Sequence, residues 1–233
     1  MRRISSAVAI GWIATLGPRV RLSTALSQVP NPSHIETIAM GNAQVLIAEG
    51  NADTIDSGAR IWDSGRALSK WMTTHLQERQ PTTILELGAG TGIVGLAAAA
   101  FGDSTNVVLT DQPHMIPLLE ENIDRNDLQS KARAVPLEFG TDSDEVAKVL
   151  SEDSMPVFDI VCGSDILYSP DNFSLLLETL CQVCTPSVTE VVLAYPRRFT
   201  EDIFCEAAIE WFEVSPEEEI DDNIFLTRLR LRA

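Results

Sequence analysis

Three glycines at alternate positions, Gly88, Gly90 and Gly92, stand between an apolar run and an apolar helical stretch. The segment reads Glu-Leu-Gly-Ala-Gly-Thr-Gly from Glu86 onward. Glycine lets the backbone turn sharply and approach a ligand where any Cβ would intrude. The pattern predicts a nucleotide-type turn that joins a strand to a helix.

The spacing of these glycines also indicates which ligands the turn does not take. A dinucleotide fingerprint has its third glycine after two intervening residues, and this chain has Ile93 at that point. The sequence contains no GxxxxGK[ST] string of a P-loop. NAD, FAD and a phosphate-cradling loop are therefore disfavoured.

Asp111 follows the next predicted strand, 19 positions after Gly92. Open α/β folds bind ligands at the carboxyl edge of the sheet, where a carboxylate can accept both hydroxyl groups of a ribose. Aspartate is also a common cap, and a helix is predicted near Pro113. The glycine turn upstream favours ribose binding over capping.

The segment from Phe158 to Tyr168 carries Ser164 and Asp165 at the end of another predicted strand. If the chain turns helically there, Asp165 and Tyr168 share one face and both can meet a substrate group. The alternative is that Asp165 caps a helix and Tyr168 is an aromatic residue at a rim.

A sheet must bring these residues to one edge. From Thr83 onward, short β-rich apolar runs alternate with helical stretches, which predicts an α/β fold with a parallel sheet and helices on both faces. The predicted strands are Val45–Ala48, Thr83–Leu87, Asn106–Thr110, Ala132–Leu137, Val157–Gly163 and Thr189–Ala194. The predicted helices are Trp62–Arg79, Ile93–Phe101, Pro113–Asn126, Asp142–Leu150, Pro170–Cys184 and Phe199–Phe212.

The end of the chain changes character. Residues Ile224 to Arg232 alternate between apolar and basic side chains, the pattern of a half-exposed antiparallel strand. The acidic run Pro216–Asp222 before it is predicted to be a hairpin loop. We therefore expect one domain over residues 36–233 that ends in an antiparallel hairpin.

The composition bounds the partners. The chain has 233 residues, 45% of them hydrophobic, and a formal net charge of -17. Nucleic-acid affinity comes largely from Lys and Arg on phosphates, so a basic protein segment fits this chain better as a partner than a nucleic acid does. No apolar run reaches the length of a membrane span.

The first 35 residues differ from the rest, because they contain four arginines and no Asp or Glu. Such a start resembles an organelle transit peptide, and the alternative is a disordered leader without an address. An intracellular location follows, either cytoplasmic or, if the leader is a transit peptide, mitochondrial.

Two further patterns could indicate a metal or redox site. Cys181 and Cys184 form a CxxC late in a predicted helix, without a second pair or a nearby histidine cluster. Two semi-buried cysteines at helical spacing are the better interpretation. The three histidines are scattered, and we expect no metal site.

Together these motifs resemble the seven-stranded, lysine-directed enzymes of methyltransferase family 16, over about Gly58 to Phe212. The resemblance rests on ARIWDSGRALSKW, ELGAGTG, LTD, PLEFG, SDILY, AYPRR and TEDIFCEAAIEWF. It implies a Rossmann-like methyltransferase sheet, S-adenosyl-L-methionine as the cofactor, a protein lysine as the methyl acceptor and a monomeric enzyme.

The resemblance also implies site residues. Asp111 would hold the ribose of the cofactor, and Asp165 and Tyr168 would form the acceptor side as the catalytic pair. In the PLEFG segment, Phe139 stands where relatives usually carry tryptophan against the adenine. The implied cofactor-binding residues are Trp62, Glu86, Gly88, Ala89, Gly90, Gly92, Asp111, Phe139 and Ser164.

Methyl transfer from a sulfonium needs a neutral amine held in line behind the methyl group. A free lysine has a pKa near 10.4 and must lose its proton before attack. We expect Asp165 to dock and orient the amine, with the proton leaving to water.

Two other functions stay open. One is methyl transfer to a histidine, an arginine or a small molecule, since the fold hosts many substrates. The other is a cofactor-binding interaction module without turnover, against which the presence of both Asp165 and Tyr168 speaks.

Overall fold

The computed structural model describes residues 34–40, 43–50, 57–76, 82–102, 104–151 and 157–233. Most of the predicted N-terminal extension, 1–33, lies outside the described residues. The strands are β1 (His34–Met40), β2 (Ala43–Glu49), β3 (Thr82–Leu87), β4 (Thr105–Asp111), β5 (Ala132–Pro136), β6 (Ile160–Ser164), β7 (Glu190–Pro196), β8 (Phe212–Val214), β9 (Glu218–Asp221) and β10 (Ile224–Leu231). The helices are α1 (Asp63–Leu76), α2 (Ile93–Phe101), α3 (Ile116–Arg125), α4 (Ser143–Ser151), α5 (Phe173–Val183) and α6 (Thr200–Ala208).

The central sheet has the strand order β5-β4-β3-β6-β7-β10-β8, and β9 pairs with β10. Strands β3 to β7 run parallel, whereas β10 is antiparallel to β7, β8 and β9. The direction of winding reverses at β3, since β4 and β5 lie on one side of it and β6 and β7 on the other. Open α/β sheets bind ligands beyond the carboxyl ends of the strands at such a switch point.

The two faces of the sheet carry separate cores because successive side chains of a strand point to opposite faces. Ile84 of β3 belongs to the core under α1, α2 and α3, whereas Leu85 and Leu87 belong to the core under α5 and α6. Glu86 lies on the same face as Ile84, toward α2. The alternation of strand and helix predicted from Thr83 onward is confirmed.

Five elements depart from the prediction. Strand β1 was not predicted; it pairs antiparallel with β2 as a separate two-stranded hairpin. The last predicted helix ends at Ala208, because Phe212–Val214 pairs with β10. The acidic run is only partly a loop, since Glu218–Asp221 forms an edge strand. The two helices predicted to begin with proline start instead as short 3-10 turns.

No helix in the described part of the chain is both long and apolar enough to span a bilayer.

Candidate active site

A cavity of about 610 Å³ opens at the carboxyl edge of the sheet, at the switch point between β3 and β6. Its walls come from the glycine turn after β3, the ends of β4 and β6, and the loop after β7. Residues 57–65 cover it from the side of α1. Ligand pockets of proteins commonly measure a few hundred to about 1,000 Å³, so the cavity can hold a nucleoside-sized ligand.

The glycine turn follows β3 and has left-handed backbone at all three glycines. Gly88, Gly90 and Gly92 have φ of 59°, 57° and 78°, values that side-chain-bearing residues rarely adopt. A Cβ on Gly90 would lie 2.5 Å from the carbonyl oxygen of Gly58. The turn also receives a hydrogen bond from the side-chain amide of Asn122 to the Thr91 carbonyl, at 3.0 Å. Glycine is therefore needed both for the turn and for the closeness of the neighbouring wall.

Asp111 ends β4 on the wall of the cavity. The Gly90 N–H donates to its Oδ2 at 2.7 Å, and the Gln112 N–H donates to its Oδ1 at 2.7 Å. The 3-10 turn that follows begins after Gln112 and has no side-chain cap. The carboxylate of Asp111 therefore braces the glycine turn. Its ribose-binding role stays a prediction.

Glu86 lies outside the cavity lining. Its side chain is buried, and its Oε2 accepts a hydrogen bond from the Gly95 N–H of α2 at 2.7 Å. The pKa of Glu86 is raised to about 8, mainly by burial and also by the charge of Asp111, against the opposing effect of the backbone hydrogen bonds from Gly95 and Val94. Gly92 also lies outside the lining, at the start of α2. These two residues support the turn from behind and do not line the cavity, and their predicted role in cofactor binding stays a prediction.

The remaining predicted cofactor residues all line the cavity: Trp62, Gly88, Ala89, Gly90, Phe139 and Ser164. Trp62 is 44% exposed in this structure. Leu137, two residues before Phe139, donates its N–H to the Asp111 carbonyl at 2.9 Å, which ties this segment to the end of β4. Sequence reasoning thus brought together residues from four separate segments.

Asp165 and Tyr168 also line the cavity, but not for the reason expected. Asp165 has φ of 58°, which is incompatible with a helical turn from Asp165 to Tyr168, and α5 begins only at Phe173. The two side chains share the cavity wall because the loop after β6 runs along it. Tyr168 is 62% exposed and lies at the rim.

The carboxylate of Asp165 does not cap a helix. Its Oδ1 forms an ion pair with Nη1 of Arg198, which comes from the loop after β7. The Asp165 side chain is 9% exposed and that of Arg198 36%. The acceptor side of the cavity therefore holds a paired carboxylate, with a cation that the sequence reading did not assign.

Comparison with known proteins agrees with this architecture. The profile of a family described as "Lysine methyltransferase" matches residues 41–211. The chain belongs to the lysine methyltransferase family. This membership confirms the resemblance that the sequence motifs indicated.

Individual relatives of the lysine methyltransferase family cover different shares of the chain. Protein N-lysine methyltransferase METTL21A of Mus musculus is 32% identical over 147 residues, 62% of this chain and 63% of that protein. EEF1A lysine methyltransferase 3 of Mus musculus is 29% identical over 194 residues, 80% of this chain and 79% of the relative. The chain thus spans less than two thirds of the first of these relatives.

The fold has solved counterparts. A SAM-dependent methyltransferase from Agrobacterium tumefaciens aligns with a TM-score of 0.59 at 14% identity, over 86% of this chain and 71% of that one. This likeness confirms the expected methyltransferase-type α/β fold.

Arg198 is the residue of the site that sequence reasoning missed. The signal was the pair of arginines in AYPRR, directly after a predicted strand and thus near the same sheet edge as Asp165. The two arginines have different partners. Arg197 bonds Glu217 with its Nη1 at 3.2 Å and its Nη2 at 2.5 Å, and packs over the ring of Phe225.

The CxxC motif is no redox site by its environment. Cys181 and Cys184 carry free thiols, and burial raises the pKa of Cys184 to about 12 and also raises that of Cys181. A thiol that stays protonated is a poor nucleophile and metal ligand. Within the described ranges, no cluster of His, Cys, Asp and Glu is suited to hold a metal ion.

Proposed function

We propose that this chain transfers a methyl group from S-adenosylmethionine to the side-chain amine of a lysine in a protein substrate. The observation that carries the proposal is that the glycine turn, Asp111 and Asp165 all line the same cavity. Family membership supports the same reaction.

The cofactor half of the cavity fits an adenosine-bearing ligand. A Cβ on Gly88 would meet Cγ2 of Ile166 at 2.8 Å, so the packing of the glycine turn against the loop after β6 depends on glycine at this point. Asp111 would accept the ribose hydroxyls while it braces Gly90, and the rings of Trp62 and Phe139 would pack on apolar parts of the cofactor. The bound cofactor supplies an electrophilic methyl group on a sulfonium.

The acceptor half would bind and orient the lysine. A carboxylate at Asp165 can accept a hydrogen bond from the amine and aim its lone pair along the transfer direction. The low exposure of Asp165 indicates that little water competes there. The amine must arrive without its proton, which leaves to water in this proposal.

The substrate is proposed from charge and from the names of relatives. One relative is named for EEF1A and another for protein N-lysine methylation. The formal charge of -17 favours a lysine-bearing segment that is itself basic. We therefore propose a protein substrate with a basic segment around the acceptor, and EEF1A is the first candidate to test.

The experiment uses the full chain with radiolabelled S-adenosylmethionine and purified EEF1A, followed by mass spectrometry of the labelled peptide. We expect the label on a lysine. Label on a histidine, an arginine or a small molecule would contradict the lysine assignment, and cofactor binding without any transfer, to EEF1A or to a cell lysate, would leave a non-catalytic module.

Asp165→Asn tests the assigned acceptor side. We expect transfer to fall at least a hundredfold, because positioning and charge at the reacting amine typically contribute about that much. Calorimetric binding of S-adenosylhomocysteine should stay near wild type. Asp171→Asn is the matched control, since Asp171 is exposed on the neighbouring 3-10 turn and does not line the cavity. Undiminished transfer by Asp165→Asn would remove Asp165 from the mechanism.

A further inference from the structure

Arg198 is held in the cavity by contacts on both sides of it. Its backbone N–H donates to the carboxylate of Glu201, at 3.3 and 3.2 Å to the two oxygens. The hydroxyl of Thr200 donates to the Leu167 carbonyl at 2.6 Å. The loop after β7 is thereby fastened to the loop after β6, and the guanidinium reaches Asp165 from a fixed base.

Few titratable side chains line the cavity, and they differ in exposure and in their partners. The titratable residues that line the cavity are Arg60, Asp111, Glu138, Asp165, Tyr168 and Arg198. Arg60, Glu138 and Tyr168 are exposed, so water screens them. Asp111 is engaged with the glycine turn, and Glu201 faces the backbone of Arg198 from α6. Asp165 and Arg198 therefore decide the local charge, and as a pair they are neutral.

A lone carboxylate would work against methyl transfer. An opposite charge within a few ångströms stabilises the protonated form of a lysine, which has no lone pair to attack with. A cation nearby has the reverse effect and favours the neutral amine. A guanidinium keeps its own proton in proteins, so the proton lost is that of the lysine.

We propose that Arg198 is a positioning residue that stays paired with Asp165 while the acceptor lysine enters, so that the site takes the lysine as a neutral amine. The amine donates an N–H to the Asp165 carboxylate and keeps its lone pair for the methyl group. This inference rests on the proposed function. It adds a reason for the second arginine of the pair and resolves how a carboxylate can orient a lysine without keeping it protonated.

The first test needs no protein substrate. Full-length protein saturated with S-adenosylhomocysteine is titrated at pH 7 with n-butylammonium chloride, and binding is followed by NMR. Arg198→Gln leaves the Asp165 charge uncompensated, so we expect it to bind this cation about tenfold more tightly than wild type. Arg228→Gln is the matched control and should behave as wild type, because Arg228 lies on β10, pairs with Glu218 and does not line the cavity.

The second test follows the pH dependence of kcat for transfer to the protein lysine, because kcat reports the pKa values of groups in the enzyme–substrate complex. In Arg198→Gln, the pH at which the rate increases should be about one unit higher than in wild type. Arg198→Lys should restore most of the wild-type profile, because it keeps the positive charge. Thermal unfolding of each variant checks that the fold is retained.

The outcomes separate this inference from the proposed function. Equal or undetectable binding of n-butylammonium in wild type and Arg198→Gln overturns the inference, as does a uniform loss of rate at every pH. If wild-type protein transfers no methyl group to lysine, the proposed function fails, and the n-butylammonium comparison still decides whether Arg198 excludes cations from this cavity.

Discussion

The buried carboxyl group of Glu86 should make the stability of the fold depend on pH. Its side chain lies under α2, with the Gly95 N–H as a hydrogen-bond donor. Burial raises the pKa of Glu86 from 4.5 to about 8. The folded protein therefore holds a proton on Glu86 at neutral pH that the unfolded chain has released.

The direction and size of this pH effect follow from the difference in the pKa of Glu86 between the folded and the unfolded state. Below pH 4.5 both states are protonated, and above pH 8 both are ionised. Between these values the folded state binds more protons, so the free energy of unfolding falls as the pH rises. At about 1.4 kcal/mol per pH unit, the free energy of unfolding falls by at most roughly 5 kcal/mol between these two pH values.

Glu86→Gln removes this titration and keeps an oxygen that can accept from Gly95. Urea unfolding of wild type and variant, measured from pH 5 to pH 8.5, gives the free energy of unfolding at each pH. We expect the free energy of unfolding of the variant, relative to that of wild type, to rise by several kcal/mol between pH 5 and pH 8.5. A difference that already exists at pH 5 does not affect this expectation.

Glu190→Gln is the matched control. Glu190 is also buried, but His75 and Arg230 lie 3.4 and 3.7 Å from its oxygens. The substitution removes the charge that Arg230 contacts, so this variant should be less stable than wild type. A difference between Glu86→Gln and wild type that stays constant from pH 5 to pH 8.5 would refute the reasoning about Glu86.

Three further predictions concern the turn and the rim. Asp111→Ala should weaken calorimetric binding of S-adenosylhomocysteine at least tenfold, because charged hydrogen bonds contribute about 1.5–3 kcal/mol each; an unchanged dissociation constant would leave Asp111 only its bracing role. Gly90→Ala should also weaken that binding about tenfold or more, since its left-handed φ costs about 1–2 kcal/mol and its Cβ meets the Gly58 carbonyl; wild-type affinity would show that the wall gives way. Phe199 has a left-handed φ of 68° and is 72% exposed. Phe199→Asn should raise the free energy of unfolding in urea by about 1 kcal/mol, because asparagine adopts this conformation more readily. A lower free energy of unfolding would show that the ring makes stabilising contacts.

The cofactor half of the site was open to prediction because its signals are local. A strand, a turn and a helix of about twenty residues carry the glycines, and the alternation of apolar residues placed Asp111 and Asp165 at strand ends. Strands β1, β8 and β9 were not recognised. Strand β8 has only three residues, and β1 and β9 are mostly exposed, so pairing with a neighbouring strand decides these elements and not their own sequence pattern.

The sequence by itself determined the parallel core, the glycine turn and the family, since each motif behind them is a short run of adjacent residues that can be recognised without its tertiary neighbours. Only the tertiary structure decided that Glu86 turns to α2, because the register of β3 sets its face. It also decided that Arg198 meets Asp165 across 33 residues. Strands β6 and β7 had to be neighbours for their ends to meet, and the loop geometry then sent Arg198 into the cavity and Arg197 to Glu217.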